Sequence, residues 1–164
     1  MSTYVWTGLS AKTVANYFLG LAGRDRVPID PVKLQKLIYL AHGWSLRFLN
    51  RPLIREPFEA WRYGPMVPAL YEEFKRFGAS PITAFAREVP GESAYGIDPE
   101  TKSLLDTVWK RYGSLSSVQL SMLLHEPGYA WELTRRRDAL TPWGGPTIPN
   151  DLIAEEFVLR QQGR

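Results

Sequence analysis

Four prolines, at 52, 57, 65 and 68, fall in one central stretch of this 164-residue chain. Proline has no backbone N–H to give and clashes with the carbonyl of the preceding turn, so no long helix runs through Arg51 to Pro68. That stretch reads as loop with short extended pieces around Phe58 to Tyr63. The fold must therefore be assembled from helices on either side of a proline-fixed centre.

Helix signals are clear on both sides. Ser10 is placed to cap a helix over Ala11 to Ala22, with Val14, Ala15, Phe18 and Leu19 on one face and Gly23 as its stop. Asp30-Pro31 pairs a side-chain acceptor with a residue whose φ is preset for the first helical position. From it Leu34, Leu37, Ile38, Ala41, Ser45 and Phe48 form a stripe to about Asn50. Past the prolines, Leu70, Tyr71, Phe74 and Phe77 make a face closed by Gly78, and residues 79–97 read as loop with a weak hairpin. Asp98-Pro99 repeats the cap-plus-proline start, with Leu104, Leu105, Val108 and Tyr112 inward and Gly113 as the stop. Ser116 or Ser117 starts a short helix with Leu120, Leu123 and Leu124 inward, and another short helix fits Tyr129 to Arg136. Thr141 to Pro149 reads as a rigid connector. Asn150 or Asp151 caps a last helix that turns Leu152, Ile153, Phe157 and Val158 inward.

The predicted class is mainly α: a compact bundle of about five to seven helices with at most a small β element around residues 53–63 and 82–97. Residues 1–9 read as an N-terminal extension, 10–160 as a single domain and 161–164 as a C-terminal tail. The length suits one domain. No apolar run approaches the roughly 20 residues that cross a bilayer, and the first residues lack the pattern of a secretory signal, so the expected address is cytoplasmic with no membrane contact.

Chemistry is narrowed by the absence of cysteine and the presence of two histidines. Thiol nucleophiles and Cys-ligated metals are excluded, and His42 and His125 sit in different elements without a partner at metal-ligand spacing. His42 lies beside a buried stripe and reads as a core histidine. His125-Glu126 could serve as an acid/base pair, but a histidine at a helix end also favours the helix dipole. No phosphate-binding glycine loop or nucleophile elbow is present, so no catalytic residue, metal site or cofactor is assigned.

Arginines cluster at Arg24 and Arg26, at Arg47, Arg51 and Arg55, and at Arg135-Arg136-Arg137. With Trp44, Trp61 and Tyr63 nearby, the middle group could neutralise and stack on a nucleic acid. Six acids among the ten basic residues between Arg24 and Arg76 reduce that local excess to +4. The segment Glu59 to Pro68 places Trp61, Arg62 and Tyr63 on a proline-fixed loop, the composition of an interface anchor. Packing into the core accounts for Trp61 and Tyr63 equally well.

The stretch Lys33-Leu34-Gln35-Lys36-Leu37-Ile38-Tyr39-Leu40-Ala41-His42-Gly43-Trp44 resembles the K-L-Q-K-L-x-Y-x-x-x-x-W helix of the Panacea domain, also described as SocA-like or phage-associated GepA-like. Glu59-Ala60-Trp61 and Tyr63-Gly64-Pro65-Met66-Val67-Pro68 through Tyr71 resemble its E-A-W-x-Y-G-P-V-x-P-x-x-Y element, with Met66 where valine is common. Leu115 to Leu124, followed by Trp131, resembles its S-x-x-x-L-x-x-x-x-H segment. The likeness runs from about Thr13 to Val158. It implies a non-enzymatic antitoxin of a bacterial or prophage type II-like toxin–antitoxin pair, whose partner is a cognate protein toxin encoded by the adjacent gene and blocked by direct contact. Some members carry added DNA-binding segments, and none is expected before Ser10. The readings kept beside it are a nucleic-acid-binding regulator that uses the arginine clusters, an adaptor that delivers a bound partner to a protease, and an enzyme built on His125 and Glu126. The expected partner-binding residues are Trp61, Arg62 and Tyr63, with Lys33, Lys36 and Arg47 on the exposed side of the second helix, at spacings of three and eleven that share a flank. Oligomeric state is left open.

Overall fold

The structure, a computed structural model, describes residues 6–137 and 144–163. Among them are seven α-helices: α1 (Ala11–Asp25), α2 (Pro31–Phe48), α3 (Pro68–Phe74), α4 (Pro99–Tyr112), α5 (Ser117–Leu124), α6 (Ala130–Arg137) and α7 (Asn150–Gln161). Strands β1 (Glu59–Trp61) and β2 (Gly64–Met66) form one antiparallel hairpin. This is the expected mainly α class. Trp143 and the two residues before it, in the predicted connector, and the Arg137 side chain, in the basic cluster, lie outside the described residues.

Most helix starts follow the cap signals. Ser10, Asp30, Asp98 and Ser116 each accept a hydrogen bond from a backbone N–H in the first turn of α1, α2, α4 and α5, and Ser116 forms a complete capping box with Gln119. α7 is the exception. Asn150 is already helical, Pro149 holds the cap position, and the Asn150 side-chain oxygen lies against His42 instead. Two stops also shift. α1 continues past Gly23 and ends at Arg26, which takes the left-handed conformation (φ 55°) and donates its N–H to the Ala22 carbonyl. α2 ends at Phe48, two residues early, because Asn50 turns left-handed (φ 56°).

α2 is the axis of the fold, with α1, α3, α4, α5, α7 and β2 all packed on it. Every residue from Lys33 to Ser45 is buried. Its apolar side chains join Phe18, Phe58, Leu105, Leu120, Ile153 and Phe157 in one core. The α2–α7 contact is close at Gly43, whose position leaves no room for a side chain because the Phe157 ring lies against it. His42 sits in the same layer and is neutral. Its Nδ1 accepts from the Ile54 N–H (3.3 Å), so Nε2 carries the proton and donates to Asn150 Oδ1 (2.9 Å), while burial pulls the ring down to about 4.

Two predicted core positions turn outward. Phe48 is 56% exposed and Val158 39% exposed, because the last turn of α2 projects beyond its neighbours and α7 presents Glu156 inward instead. The Glu156 carboxylate takes the Tyr39 hydroxyl (2.8 Å), the Ala130 N–H (3.0 Å) and Arg160 Nε (2.8 Å). Burial lifts its carboxyl above the usual range while these donors pull it back. Tyr71, also expected in the core, is half-buried.

The predicted connector has more structure than a turn. The Ala60 N–H donates to Pro146 (2.8 Å) and the Ile148 N–H to Phe58 (2.8 Å), so residues 146–148 pair with the second edge of β1. The weak hairpin predicted within 82–97 does not form among the described residues. The Asn16 side chain instead hydrogen-bonds both backbone groups of Ala86 and holds that stretch against α1. Trp6 to Leu9 lie against the domain, with Trp6 Nε1 donating to Pro52 (2.6 Å) and Leu9 bridging Ile54.

Two predictions follow from the packing around α2. Gly43→Ala, which forces a methyl into the Phe157 ring, should destabilise the fold by about 1–3 kcal/mol in urea unfolding. Gly20→Ala, at an exposed α1 position with open space around it, should stabilise it by roughly 0.5–1 kcal/mol, so the two substitutions should move the midpoint in opposite directions. For His42, a folded pKa below the unfolded value means the unfolded chain binds more protons between about pH 6.5 and 4. The His42 contribution to stability should be constant above that window and fall through it by about 3 kcal/mol. The difference in unfolding free energy between the protein and its His42→Gln variant should change by that amount across the window, His125 and Glu156 titrating alike in both.

Candidate functional site

The β1–β2 register pairs Trp61 with Gly64 and leaves Arg62 and Tyr63 as the two residues of the turn. Gly64 has φ 131°, a backbone that other residues rarely adopt. A Cβ there would also sit 2.7 Å from Lys36 Nζ and 3.1 Å from His125 Nε2. Glycine therefore satisfies both the reversal and the space beneath it.

Three side chains hold the turn from below. Lys36 Nζ and His125 Nε2 both reach the Tyr63 carbonyl at 3.2 Å. Trp131 Nε1 donates to the Trp61 carbonyl at 2.8 Å, and its ring stacks on His125 with centroids 4.5 Å apart. Because the Tyr63 oxygen only accepts, His125 presents its N–H there. Burial and then the neighbouring Lys36 charge pull the His125 ring below its usual range, which keeps it neutral near pH 7. Burial alone draws Lys36 down to about 8, so it still carries its proton at neutral pH. On the connector side, a side chain at Gly145 would collide with the Ala60 carbonyl, so that backbone lies directly on β1.

The upper surface differs. Arg62 is exposed with its guanidinium 5.4 Å from the Tyr63 ring centroid, and Tyr63 is 73% exposed. Trp61 divides the two roles proposed for it. It is half-buried, donates Nε1 to Glu59 (2.7 Å), and meets Tyr71 edge-on at 5.1 Å. It braces the turn while Arg62 and Tyr63 face solvent.

The expected exposed flank of α2 is corrected by the structure. Lys33 and Lys36 are buried, at 4% and 1% exposure. Helical spacing gives the flank, but α2 is ringed by partners, and each lysine finds a backbone acceptor inside: Tyr63 for Lys36, and Gly113 (2.5 Å) for Lys33. Arg47 is exposed and donates to Gln161 (2.5 Å). Eleven residues separate it from Lys36, about 16 Å along the helix, so it belongs to a different patch from the turn. Sequence reasoning missed His125 and Trp131 as supports; their place in the matched motif was the available signal.

The other chemistries find less support in the geometry. His125 is engaged by Tyr63, and Glu126 points outward. Of the basic clusters, Arg24 pairs with Asp25, Arg51 with Asp98 and Glu100, Arg55 with Glu92, and Arg136 with Glu132. Trp44, expected to stack on a ligand in the middle cluster, is 6% exposed. Among the described residues no three His, Cys, Asp or Glu side chains group as metal ligands, and no helix is long and apolar enough to cross a membrane.

A family described as "Antitoxin SocA-like, Panacea domain" matches residues 34–132, which contain Lys36, the turn, His125 and Trp131. The chain is 32% identical over 157 residues to "Antitoxin SocA" of Caulobacter vibrioides (strain NA1000 / CB15N), covering 91% of this chain and 82% of that one. No solved structure matches it. With the family pattern spanning more than half of its length and the relative aligned along nearly all of it, this chain belongs to the SocA-like antitoxins of the Panacea-domain family.

Proposed function

We propose that this chain is an antitoxin that neutralises a protein toxin by binding it directly, without chemistry of its own, and that its toxin is encoded by the adjacent gene and met in the cytoplasm. The observation that carries this reading is the braced turn inside the family-matched region: a backbone fixed from below by Lys36, His125 and Trp131 presents Arg62 and Tyr63 to solvent. Rigid aromatic and arginine side chains lose little freedom on binding and dominate protein interfaces. Trp61 sets the turn's shape, Lys36 positions it from inside, and Lys33 secures the start of α2. Arg47, also proposed as a contact, engages the partner from the far end of that helix.

Co-expression with the neighbouring gene product tests the assignment. The product should be toxic alone and harmless in a complex with this chain; a product that is harmless alone, or that stays toxic and unbound, overturns it. For the turn, Arg62→Ala with Tyr63→Ala should weaken the complex at least tenfold and restore toxicity while leaving the unfolding midpoint nearly unchanged. Full neutralisation by that variant would remove the turn from the interface.

A further inference from the structure

Positive charge gathers around the braced turn without an answering acid. Above the turn, the exposed Arg62 guanidinium lies beside the Tyr63 ring. At its side, Arg135 of α6 stacks its guanidinium 4.4 Å from the ring centroid of Trp131, the residue that donates to the Trp61 carbonyl. Arg135 is half-buried, and its Nε is shielded from solvent with no hydrogen-bond partner. Among the described residues neither arginine forms an ion pair. Beneath the turn, the Lys36 ammonium is buried against a carbonyl rather than a carboxylate. His125 shares that carbonyl with Lys36 and stacks on Trp131, and the charges that act on its ring are those of Lys36 and Arg135, both positive.

The acids of the adjoining elements are engaged elsewhere. Glu59 of β1 accepts from Trp61 Nε1 (2.7 Å), and Glu132 of α6 pairs with Arg136 and accepts from the Gly128 N–H (3.2 Å). Glu126 hydrogen-bonds Tyr129 and lines the cavity that also holds Arg111 and Arg160. A charge held out of water is screened little, so the field of Lys36 adds to that of the two arginines at the surface of the turn. Arg24, Arg51, Arg55 and Arg136 are each neutralised by a carboxylate. The turn therefore offers two unpaired guanidiniums beside an exposed tyrosine, a point contact for carboxylates, and not the continuous basic track that holds a nucleic-acid backbone.

We infer that the partner meeting this turn is a protein with an acidic contact segment, its carboxylates received by Arg62 and Arg135 and its neighbouring apolar atoms by the Tyr63 ring. This rests on the reading of the turn as the contact surface and adds the chemistry that the contact selects.

The probes are two fluorescein-labelled 15-residue peptides that differ only in carrying glutamates or glutamines at the same positions between apolar residues, titrated onto the intact protein at low salt. The glutamate peptide should bind at least tenfold more tightly, with an affinity that falls as salt is added. Arg62→Glu should weaken it at least tenfold with the unfolding midpoint unchanged, because that side chain is exposed and makes no ion pair. Lys110→Glu makes the same change of charge at an exposed position of α4 and should weaken it less than threefold, which separates the turn from net charge. Arg135→Gln should weaken it severalfold, and its unfolding midpoint records the packing lost from Trp131. Equal binding of the two peptides, or equal losses in Arg62→Glu and Lys110→Glu, overturns the inference. So does a 12-residue oligo-dT strand that binds more tightly than the glutamate peptide through the same arginines, which would make the turn a nucleic-acid surface. The antitoxin assignment is read separately from the neighbouring gene product. If Arg62→Ala with Tyr63→Ala releases the toxin while the two peptides bind alike, the turn stands as the contact and its acidic partner falls. If the glutamate peptide binds as expected and the neighbouring product is harmless, the assignment falls and the surface for acidic segments stands.

Discussion

The fold depends on one helix being buried on every side while carrying polar side chains that cannot be left unpaired. A buried polar group without a partner costs about 1–3 kcal/mol, and a buried charge more, so Lys33, Gln35, Lys36, His42 and Ser45 each oblige a neighbouring segment to supply a partner. Gln35 takes both backbone groups of Val67 (2.9 and 3.1 Å), fixing the entry to α3. Ser45 donates to Arg51 (2.7 Å) and turns the chain after α2. His42 holds Ile54 and the start of α7, Lys33 holds the end of α4, and Lys36 holds the turn. Hydrophobic burial drives these segments onto α2 and does not fix their register; the polar contacts do.

Glu156 does from α7 what these residues do from α2. Its carboxylate joins Tyr39 of α2, the first residue of α6 and Arg160 one turn on, and Arg160 Nη2 reaches the Leu123 carbonyl at the end of α5 (3.0 Å). The ends of α5 and α6, and with them His125 and Trp131, are thereby tied to α7. The turn is thus held from α2 through Lys36 and from the α5–α6 side through His125 and Trp131, so loosening α7 would reach it through its own supports.

Element starts were legible in the sequence because their causes are local. A side chain accepting from its own helix's amides, or a proline with a preset φ, needs no knowledge of the rest of the fold, and Asp30-Pro31 and Asp98-Pro99 behaved accordingly. Sidedness was less legible. Lys33 and Lys36 read as a solvated flank, and Phe48 and Val158 as core, because periodicity divides a helix into two faces, whereas α2 has neighbours on all of them until its last turn. Arg26 at the end of α1 and the pairing of residues 146–148 with β1 depend on contacts distant in sequence, which composition does not encode. In the candidate site, Trp61, Arg62 and Tyr63 stood out by composition, whereas His125 and Trp131 became recognisable as supports only once the hairpin lay above them.

Lys36 shows why such a site is more than packing. Replacing a buried charge by an apolar side chain of similar volume is often neutral or stabilising, so stability alone gives no reason for an ammonium at this position. A leucine could fill the space beneath Gly64, but it could not draw the Tyr63 carbonyl inward. With that oxygen directed at Lys36 and His125, the Tyr63 backbone is pinned toward the interior while its side chain is left outside with Arg62. Without that constraint a two-residue turn samples other orientations, and ordering them on contact costs about 1–2 kcal/mol per residue. In the contact proposed for this turn, the buried lysine moves that cost from the moment of binding to the moment of folding.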